Sequence, residues 1–347
     1  MMSLTTPTPS RHRHPRLRAR SASAAVLAAT LCLSLAACGA GKKAPAGSGT
    51  DANGAKKLVF GFSQVGSESG WRAANTKSIQ DAAKAAGFEL KFSDAQQKQE
   101  NQIAAIRTFI QQKVDVIGFS PVVVTGWDTV LKEAKAAGIP VILTDRAIDT
   151  QDKTLYKTFI GSDFVKEGTA AGQWLVDAEK SATGTVNIAE LEGTTGSAPA
   201  IDRKKGFEDM VLKDPRFKLV ADQTGDFTRA KGKEVMTAFL KAHKDINILF
   251  AHNDDMAMGA IQAIEEAGLK PGKDIRIVSI DGVKDAFQAM VDGKIEVVVE
   301  CNPLIGPQVM DLVRKLKDKA EVPARVESKE GVFTKDKAAA ELPNRQY

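Results

Sequence analysis

Short apolar runs alternate with helical patterns from Lys57 onward. Ile103, Ile106 and Ile110 recur at helical spacing and define one buried face of a helix. The runs between the helices are rich in β-branched and aromatic residues, as buried parallel strands are, and comprise LVFGF (58–62), FELKF (88–92), VDVIGF (114–119) and IPVILT (139–144). The alternation predicts repeated βαβ units and an α/β fold with a doubly wound parallel sheet.

The same alternation then restarts. A second set of strands, each followed by a helical stretch, comprises TVNIAEL (185–191), FKLVAD (217–222), INILFA (246–251) and IRIVSI (275–280). A last strand, IEVVVE (295–300), and a helix near 307–318 remain, where the chain can cross back to the first set. We therefore expect two similar lobes joined by a hinge of several strands. The predicted first lobe spans 57–162 and 303–330, and the second spans 163–302 and 331–347.

The N-terminal segment has the features of an export signal. RHRHPRLRAR is a positively charged region, and AAVLAATLCLSLAA is an apolar stretch too short to span a bilayer comfortably. The small residues before Cys38 resemble a bacterial lipobox, which implies cleavage there and a lipid on the thiol. The alternative is a soluble secretory signal with an incidental cysteine. We predict a signal peptide over 1–37, a lipid anchor with a flexible tether over 38–56, and an extracytoplasmic, membrane-anchored protein.

Composition excludes some partners. The chain is 43% hydrophobic and 26% charged, which is ordinary for a soluble globular protein. The formal charge of +5 is matched by arginines of the signal segment, so the remainder is close to neutral and offers no electrostatic footprint for nucleic acid.

Cys32 leaves with the signal, Cys38 is the lipidation candidate and Cys301 stands alone, so no structural disulfide is available.

Polar and aromatic side chains follow the strands of both sets. Ligands of open α/β sheets bind beyond the carboxyl ends of the strands, so these side chains are candidates for one site. The groups that follow strands are Glu68, Ser69, Gly70, Trp71, Arg72, Asp145, Arg146, Glu192, Asp202, Arg203, Phe227, Asn253, Asp254 and Asp281. This arrangement predicts a cleft between two lobes, with each lobe supplying part of the lining.

The chemistry of these groups favours binding over catalysis. The first loop lacks GxGxxG, and GSESG (66–70) has Glu68 where a nucleophile elbow needs serine. His243 and His252 have no second ligand at metal-binding spacing, so no metal or cofactor is expected. Carboxylates such as Asp145 and Asp281 could in principle form a glycosidase pair, but neighbouring arginines favour their ionised forms. Ionised carboxylates, guanidinium groups and an aromatic face together suit a neutral, hydroxyl-rich ligand.

Several motifs carry a family resemblance over essentially all of 57–347. TDRAID, DRKKGF, GDFTRAKGKEV, FAHNDDMAMGA and SIDGV are similar to motifs of the type I periplasmic sugar-binding proteins, the ribose- and galactose-binding family of ABC importers. GFSQVGSESGWRAA, QQKQENQI and TGWDTVLKEAK look like the galactofuranose-binding branch of that family. The resemblance implies a monomer that captures a monosaccharide between its lobes, closes about the hinge and delivers the sugar to an ABC transporter permease.

The resemblance also implies residue roles. Asp145 and Arg146 would hold sugar hydroxyls from the first lobe, and Arg203, Asn253 and Asp281 from the second. The loop Glu68–Ser69–Gly70–Trp71–Arg72 would enclose the ring, with Trp71 as its apolar wall. Phe227 matches a stacking aromatic, and Gln96 or Gln97 would reach the site.

One position departs from the family pattern. Ribose-binding relatives place a glutamine on the third crossover, two residues before a proline, and Cys301 has that spacing before Pro303. The difference puts a direct ligand contact here in doubt and argues against ribose. With galactofuranose as the first candidate ligand, four alternatives stay open: a binder of another pentose or hexose, a sugar sensor for a chemoreceptor or kinase, an extracytoplasmic enzyme acting on sugars, and a repressor core of the LacI type. The repressor is disfavoured because no helix-turn-helix precedes Lys57.

Overall fold

The computed structural model describes residues 57–347, so the predictions for 1–37, 38–56 and Cys38 lie outside the described residues. The strands, in chain order, are β1 (Val59–Gln64), β2 (Glu89–Asp94), β3 (Val116–Phe119), β4 (Val141–Thr144), β5 (Thr158–Gly161), β6 (Val186–Glu192), β7 (Phe217–Thr224), β8 (Ile248–Ala251), β9 (Arg276–Asp281), β10 (Val297–Glu300), β11 (Arg325–Glu327) and β12 (Val332–Thr334). The helices are α1 (Gly70–Ala85), α2 (Gln99–Gln111), α3 (Asp128–Ala136), α4 (Phe164–Ala178), α5 (Ala198–Val211), α6 (Arg229–Ala242), α7 (Asp254–Glu266), α8 (Lys284–Val291), α9 (Gly306–Lys317) and α10 (Lys335–Glu341).

The strands form two six-stranded sheets, one in each lobe. The first sheet has the order β11-β5-β4-β3-β1-β2 and the second has the order β12-β10-β9-β8-β6-β7. Neighbouring strands are parallel, except that β12 pairs antiparallel with β10. The two parallel-sheet α/β lobes confirm the predicted fold class. Because the orders match strand for strand, β1 corresponds to β6 and β4 corresponds to β9.

Helices cover both faces of the first sheet. Phe109 of α2 and Leu131 of α3 lie in one apolar cluster, and Ile79 of α1 and Val313 of α9 lie in the other. The central strands β3 and β8 are buried along their whole length. This burial on both faces explains why the strands appear in the sequence as continuous apolar runs instead of alternating ones.

A close helix contact in the second lobe positions part of the cleft. A Cβ at Gly168 of α4 would lie 2.2 Å from the backbone oxygen of Arg203 on α5. Only glycine permits this approach, which brings the start of α5 against α4. Phe207 of α5 stacks on Phe250 of β8, with ring centroids 3.9 Å apart, and fixes the other side of the helix against the sheet.

The chain passes between the sheets at three connections, namely 162–163, 301–305 and 328–331. Cys301 lies on the second of these in chain order, so its assignment to the third crossover was wrong. The sequence interpretation also missed β5, β11 and β12. The strands β11 and β12 have only three residues each, and β11 is largely exposed, while β5 has just two apolar side chains, Phe159 and Ile160, so none shows a long apolar run.

Candidate functional site

A cavity of about 20 Å³ lies between the lobes, at the carboxyl ends of the strands. This volume has room for about one water molecule, so the side chains of the two lobes are closely packed around it. Both lobes and the hinge line it through Glu68, Ser69, Trp71, Arg72, Asp145, Arg146, Phe164, Pro199, Arg203, Phe227, Asn253, Asp281 and Cys301. The location agrees with the general rule that open α/β sheets bind ligands at these strand ends.

A larger groove of about 670 Å³ lies elsewhere, at the opposite end of β4. Its charged lining residues, including Lys135, Lys157 and Glu321, are exposed. The smaller cavity is lined instead by buried charged groups that converge from two lobes. Buried and convergent polar groups are the mark of a specific small-molecule site, so we place the candidate site in the cleft.

Four charged side chains of the first lobe form a closed network. Arg72 donates to Asp145 at 2.7 Å and to Glu68 at 3.0 Å, and Arg146 lies 3.8 Å from Glu68 and 3.6 Å from Asp145. Burial raises the pKa of Glu68, but the charges of Arg72 and Arg146 outweigh it and the pKa is lowered. Burial and the charge of Arg72 lower the pKa of Arg146 to about 10, so it stays charged at neutral pH.

Two atoms of this network lack a hydrogen-bond partner among the described residues. They are Oε2 of Glu68 and Nε of Arg146, and both side chains are at most 3% exposed. Buried polar atoms are nearly always hydrogen-bonded in native proteins. One acceptor and one donor on two residues that line the same cavity fit a ligand hydroxyl, which can give and accept a hydrogen bond at once.

The second lobe supplies a matching cluster. Arg203 donates to Glu167 at 2.7 Å, lies 3.6 Å from Asp281 and also donates to the backbone oxygen of His252. Burial raises the pKa of Asp281 well above its usual range, although the charge of Arg203 opposes the rise. The side chain of Asn253 accepts from the Met256 N–H at 3.0 Å and caps α7. Its amide nitrogen donates to the Phe227 oxygen at 3.2 Å and has a second N–H to offer.

Aromatic rings complete the lining. Trp71 is buried, and its indole N–H donates to the backbone oxygen of Cys301 at 2.6 Å, which ties the first lobe to the hinge. The Arg146 guanidinium of the first lobe lies 5.3 Å from the Phe227 ring centroid of the second. A Cβ at Gly193 would lie 1.8 Å from Cζ of Phe227, so only glycine leaves room for this ring. These faces suit the apolar C–H side of a sugar ring.

The two strand-end aspartates have unusual backbones. Asp145 has φ of 62° and Asp281 has φ of 130°, in the region that favours glycine. They follow or end the corresponding strands β4 and β9. Strained backbone of this kind concentrates at functional sites, where the surrounding structure holds it in place.

The structure brings most of the sequence-predicted site residues together. Those that line the cavity are Glu68, Ser69, Trp71, Arg72, Asp145, Arg146, Arg203, Phe227, Asn253 and Asp281. Gly70 is exposed outside the cavity lining, and its N–H donates to Asp255. Gln96 and Gln97 lie in a turn with φ of 55° and 60° and are not part of the lining either.

Three lining residues were not predicted as ligand contacts: Phe164, Pro199 and Cys301. Phe164 begins α4 directly after β5, so reading TFIG (158–161) as a strand would have identified it. Pro199 lies in the first turn of α5, after the strand β6. Glu167 was also missed, because its role depends on contact with Arg203, 36 residues further on.

One group among residues 57–347 has the composition of a metal site. Glu167, Cys301 and Glu330 place potential ligand atoms within 4.8 Å of one another at the hinge. Burial and the charge of Glu167 raise the pKa of Glu330 to about 8, and burial also raises the pKa of Cys301 and of Glu167. Metal ligands must be deprotonated, and Glu167 already forms an ion pair with Arg203. The group fits a hydrogen-bonded hinge better than a metal centre.

Comparison with known proteins decides the family. The model of the periplasmic binding protein domain matches residues 60–321. The chain belongs to the periplasmic binding protein family. It is 50% identical over 297 residues to the galactofuranose-binding protein of Escherichia coli, a match that covers 84% of this chain and 92% of that protein.

Two solved structures are similar to this periplasmic binding protein. One, from Mycobacterium smegmatis in complex with β-D-fucofuranose, is 61% identical with a TM-score of 0.82, over 84% of this chain and 95% of that one. The other is the binding component of the arabinose ABC transporter from Shewanella sp. ANA-3, bound to α- and β-L-arabinofuranose. It is 52% identical with a TM-score of 0.79, over 83% of this chain and 95% of that one.

These matches confirm the predicted family and the expectation of a binding protein in place of an enzyme. Membership implies a sugar-binding, extracytoplasmic component of an ABC import system. Among residues 57–347, no helix is long and apolar enough to cross a membrane.

Proposed function

We propose that this protein captures a monosaccharide in its furanose ring form, with galactofuranose as the first candidate, and delivers it to an ABC transporter permease. The observation that carries the proposal is the set of sugars with which similar proteins are described. Relatives at 50–61% identity are described with galactofuranose, β-D-fucofuranose and L-arabinofuranose. These sugars share the five-membered ring and differ in the atoms attached to it, so the ring form is the common feature.

The cleft chemistry supports a neutral ligand of this kind. In the first lobe, two guanidinium groups balance two carboxylates, and the second lobe pairs Arg203 with Glu167 and Asp281. A ligand with a net charge would bring a further charge into a buried site, where unpaired charge is expensive. Hydroxyls can instead bridge Glu68 Oε2 and Arg146 Nε while the ring lies between Trp71 and Phe227.

Nuclear magnetic resonance on purified protein with ¹³C-labelled D-galactose tests the ring form. With protein in excess, we expect the anomeric carbon of the bound sugar to report a furanose. A bound pyranose would retain the family and overturn the furanose assignment. Absence of binding to galactose, L-arabinose, D-fucose and ribose would overturn the sugar-binding proposal.

We also propose that Cys38 carries the lipid that anchors the protein outside the cytoplasm. The support is the sequence LAAC at the end of a short apolar stretch. Labelling of cells with radioactive palmitate is expected to mark the wild type and to leave a Cys38→Ala variant unmarked.

Sugar uptake that persists after deletion of the protein would favour a sensor for a chemoreceptor or kinase over a transport component.

A further inference from the structure

Asp255 of the second lobe contacts the first lobe directly, outside the sugar cavity. It lies in the first turn of α7 and is 7% exposed. Its Oδ2 accepts a hydrogen bond from the Gly70 N–H at 2.7 Å, at the start of α1. Its Oδ1 accepts from Nε of Arg229 at 3.2 Å, which holds the carboxylate in place. Asp255 is not among the residues that line the cavity.

The contact completes a helix terminus that the first lobe leaves incomplete. The first N–H groups of a helix have no partner within the helix. Ser69 caps α1 by accepting from the Arg72 N–H at 3.1 Å, and the carboxylate of Asp255 takes the N–H of Gly70. A negative charge at a helix N-terminus is also favoured by the helix dipole. Separation of the lobes would return this donor and this carboxylate to water.

We propose that Asp255 is a latch, a residue that sets sugar affinity by stabilising the closed arrangement of the lobes without touching the sugar. The inference rests on the proposed sugar-binding function. A ligand that binds only the closed form has an apparent affinity proportional to the closed population. Loss of the latch therefore weakens binding of every sugar by one common factor, whereas loss of a cavity residue weakens each sugar by a different factor.

The expected factor follows from the chemistry of the contact. A hydrogen bond to a charged group contributes enough to change an equilibrium by about tenfold or more. We expect Asp255→Ala to raise the Kd of each bound sugar about tenfold, chiefly through faster dissociation. Asp255→Asn keeps an acceptor but loses the charge, so its effect should be smaller.

A change on the opposite lobe provides an independent perturbation. Gly70→Pro removes the donor at the first position of α1, where proline is well tolerated. The preceding residue, Ser69, has φ of −146° and ψ of 163°, which is compatible with a following proline. Gly70→Pro should reproduce the effect of Asp255→Ala, and the double variant should be no weaker than either one. Asp285→Ala is the matched control, since Asp285 pairs with Arg229 at 3.0 Å but is exposed.

The experiment measures Kd and dissociation rate for D-galactose, L-arabinose and D-fucose on the full protein, and the open and closed populations without sugar by fluorescence energy transfer. A common factor for all bound sugars, with a lower closed population, is the expected result. An unchanged Kd, or factors that differ between sugars, would overturn the latch. The sugar-free populations test the latch even where the wild type binds none of these sugars, a result that would count against the proposed function alone.

Discussion

Replacement of Arg203 by methionine should damage both the stability and the sugar affinity of the protein. The guanidinium is buried, donates to Glu167 at 2.7 Å and lies 3.6 Å from Asp281. Methionine keeps much of the apolar stem and removes the charge. Two buried carboxyl groups then lose their cation, and the cavity loses one of its donors.

The size of the effect follows from burial. Removing one partner of a buried ion pair costs about 3–5 kcal/mol of unfolding free energy, because the remaining charge is left uncompensated. Burial already raises the pKa of Glu167 and Asp281, and Arg203 opposes that rise in both. An acid whose pKa is raised by folding loses stabilisation as pH rises from its unfolded pKa through its folded pKa. The variant should therefore lose more stability at pH 8 than at pH 5.

Urea unfolding at pH 5, 6.5 and 8 measures the stability, and calorimetry at pH 7 measures sugar affinity. Loss of a charge-assisted hydrogen bond to a hydroxyl should raise Kd by about 10- to 100-fold. Arg107→Met is the matched control, since Arg107 donates to Glu133 at 2.8 Å on the surface, and its loss should be without measurable effect. Equal losses of stability at pH 5 and pH 8 would refute the reasoning.

Three further changes have definite expected outcomes. Trp71→Phe removes the donor to the Cys301 oxygen and should weaken sugar binding by about 1–2 kcal/mol, measured by calorimetry. Glu330→Gln removes an acid whose pKa is raised to about 8 by burial and by Glu167, so thermal melts should show a variant that gains on the wild type as pH rises from 5 to 9. Arg345→Ala breaks a 2.8 Å pair with Glu300 beneath the C-terminus and should cost about 3 kcal/mol in urea unfolding.

Each of these changes has a control or a contradicting result. Trp127 also donates its indole N–H to a backbone oxygen, at 2.7 Å, but lies outside the cavity lining, so Trp127→Phe should leave sugar affinity unchanged. A Glu330→Gln variant with the same pH profile as the wild type would show that this carboxyl does not titrate in the predicted range. A loss for Arg345→Ala no greater than that for the exposed Arg314→Ala would contradict the buried-pair argument.

The sequence was sufficient for most of the fold because the signal that matters is local. The strand β8 appears as INILFA (246–251) and is buried along its length. Its apolar run can therefore be recognised from its own residues, without knowledge of the neighbouring strands. The strand β5 offers only Phe159 and Ile160 as apolar side chains, and β11 pairs with it at the edge of the sheet. Short edge strands form because a neighbouring strand offers hydrogen bonds, and that information is not local.

The sequence predicted those residues of the candidate site that directly follow or end a strand. Asp145, Asn253 and Asp281 were expected to meet because parallel strands end at one edge of a sheet, and they line one cavity. Glu167 carries no such signal, since it lies within the first turn of α4 and acts only through Arg203. The contact of Asp255 could not be predicted for a similar reason, because its partner Gly70 is 185 residues away in the chain.

The matching topology of the lobes explains how the cleft recognises one ligand from two sides. In the first lobe, Arg72 near the start of α1 pairs with Asp145 after β4, at 2.7 Å. In the second, Arg203 in the first half of α5 lies 3.6 Å from Asp281 at the end of β9. Since β1 corresponds to β6 and β4 to β9, each lobe builds its arginine–aspartate pair from the same two elements. A ligand between the two pairs therefore meets hydrogen-bond donors and acceptors on both sides. A polyhydroxylated ring satisfies that arrangement because each hydroxyl can donate and accept, whereas an ionised ligand would bring an uncompensated charge into a buried site.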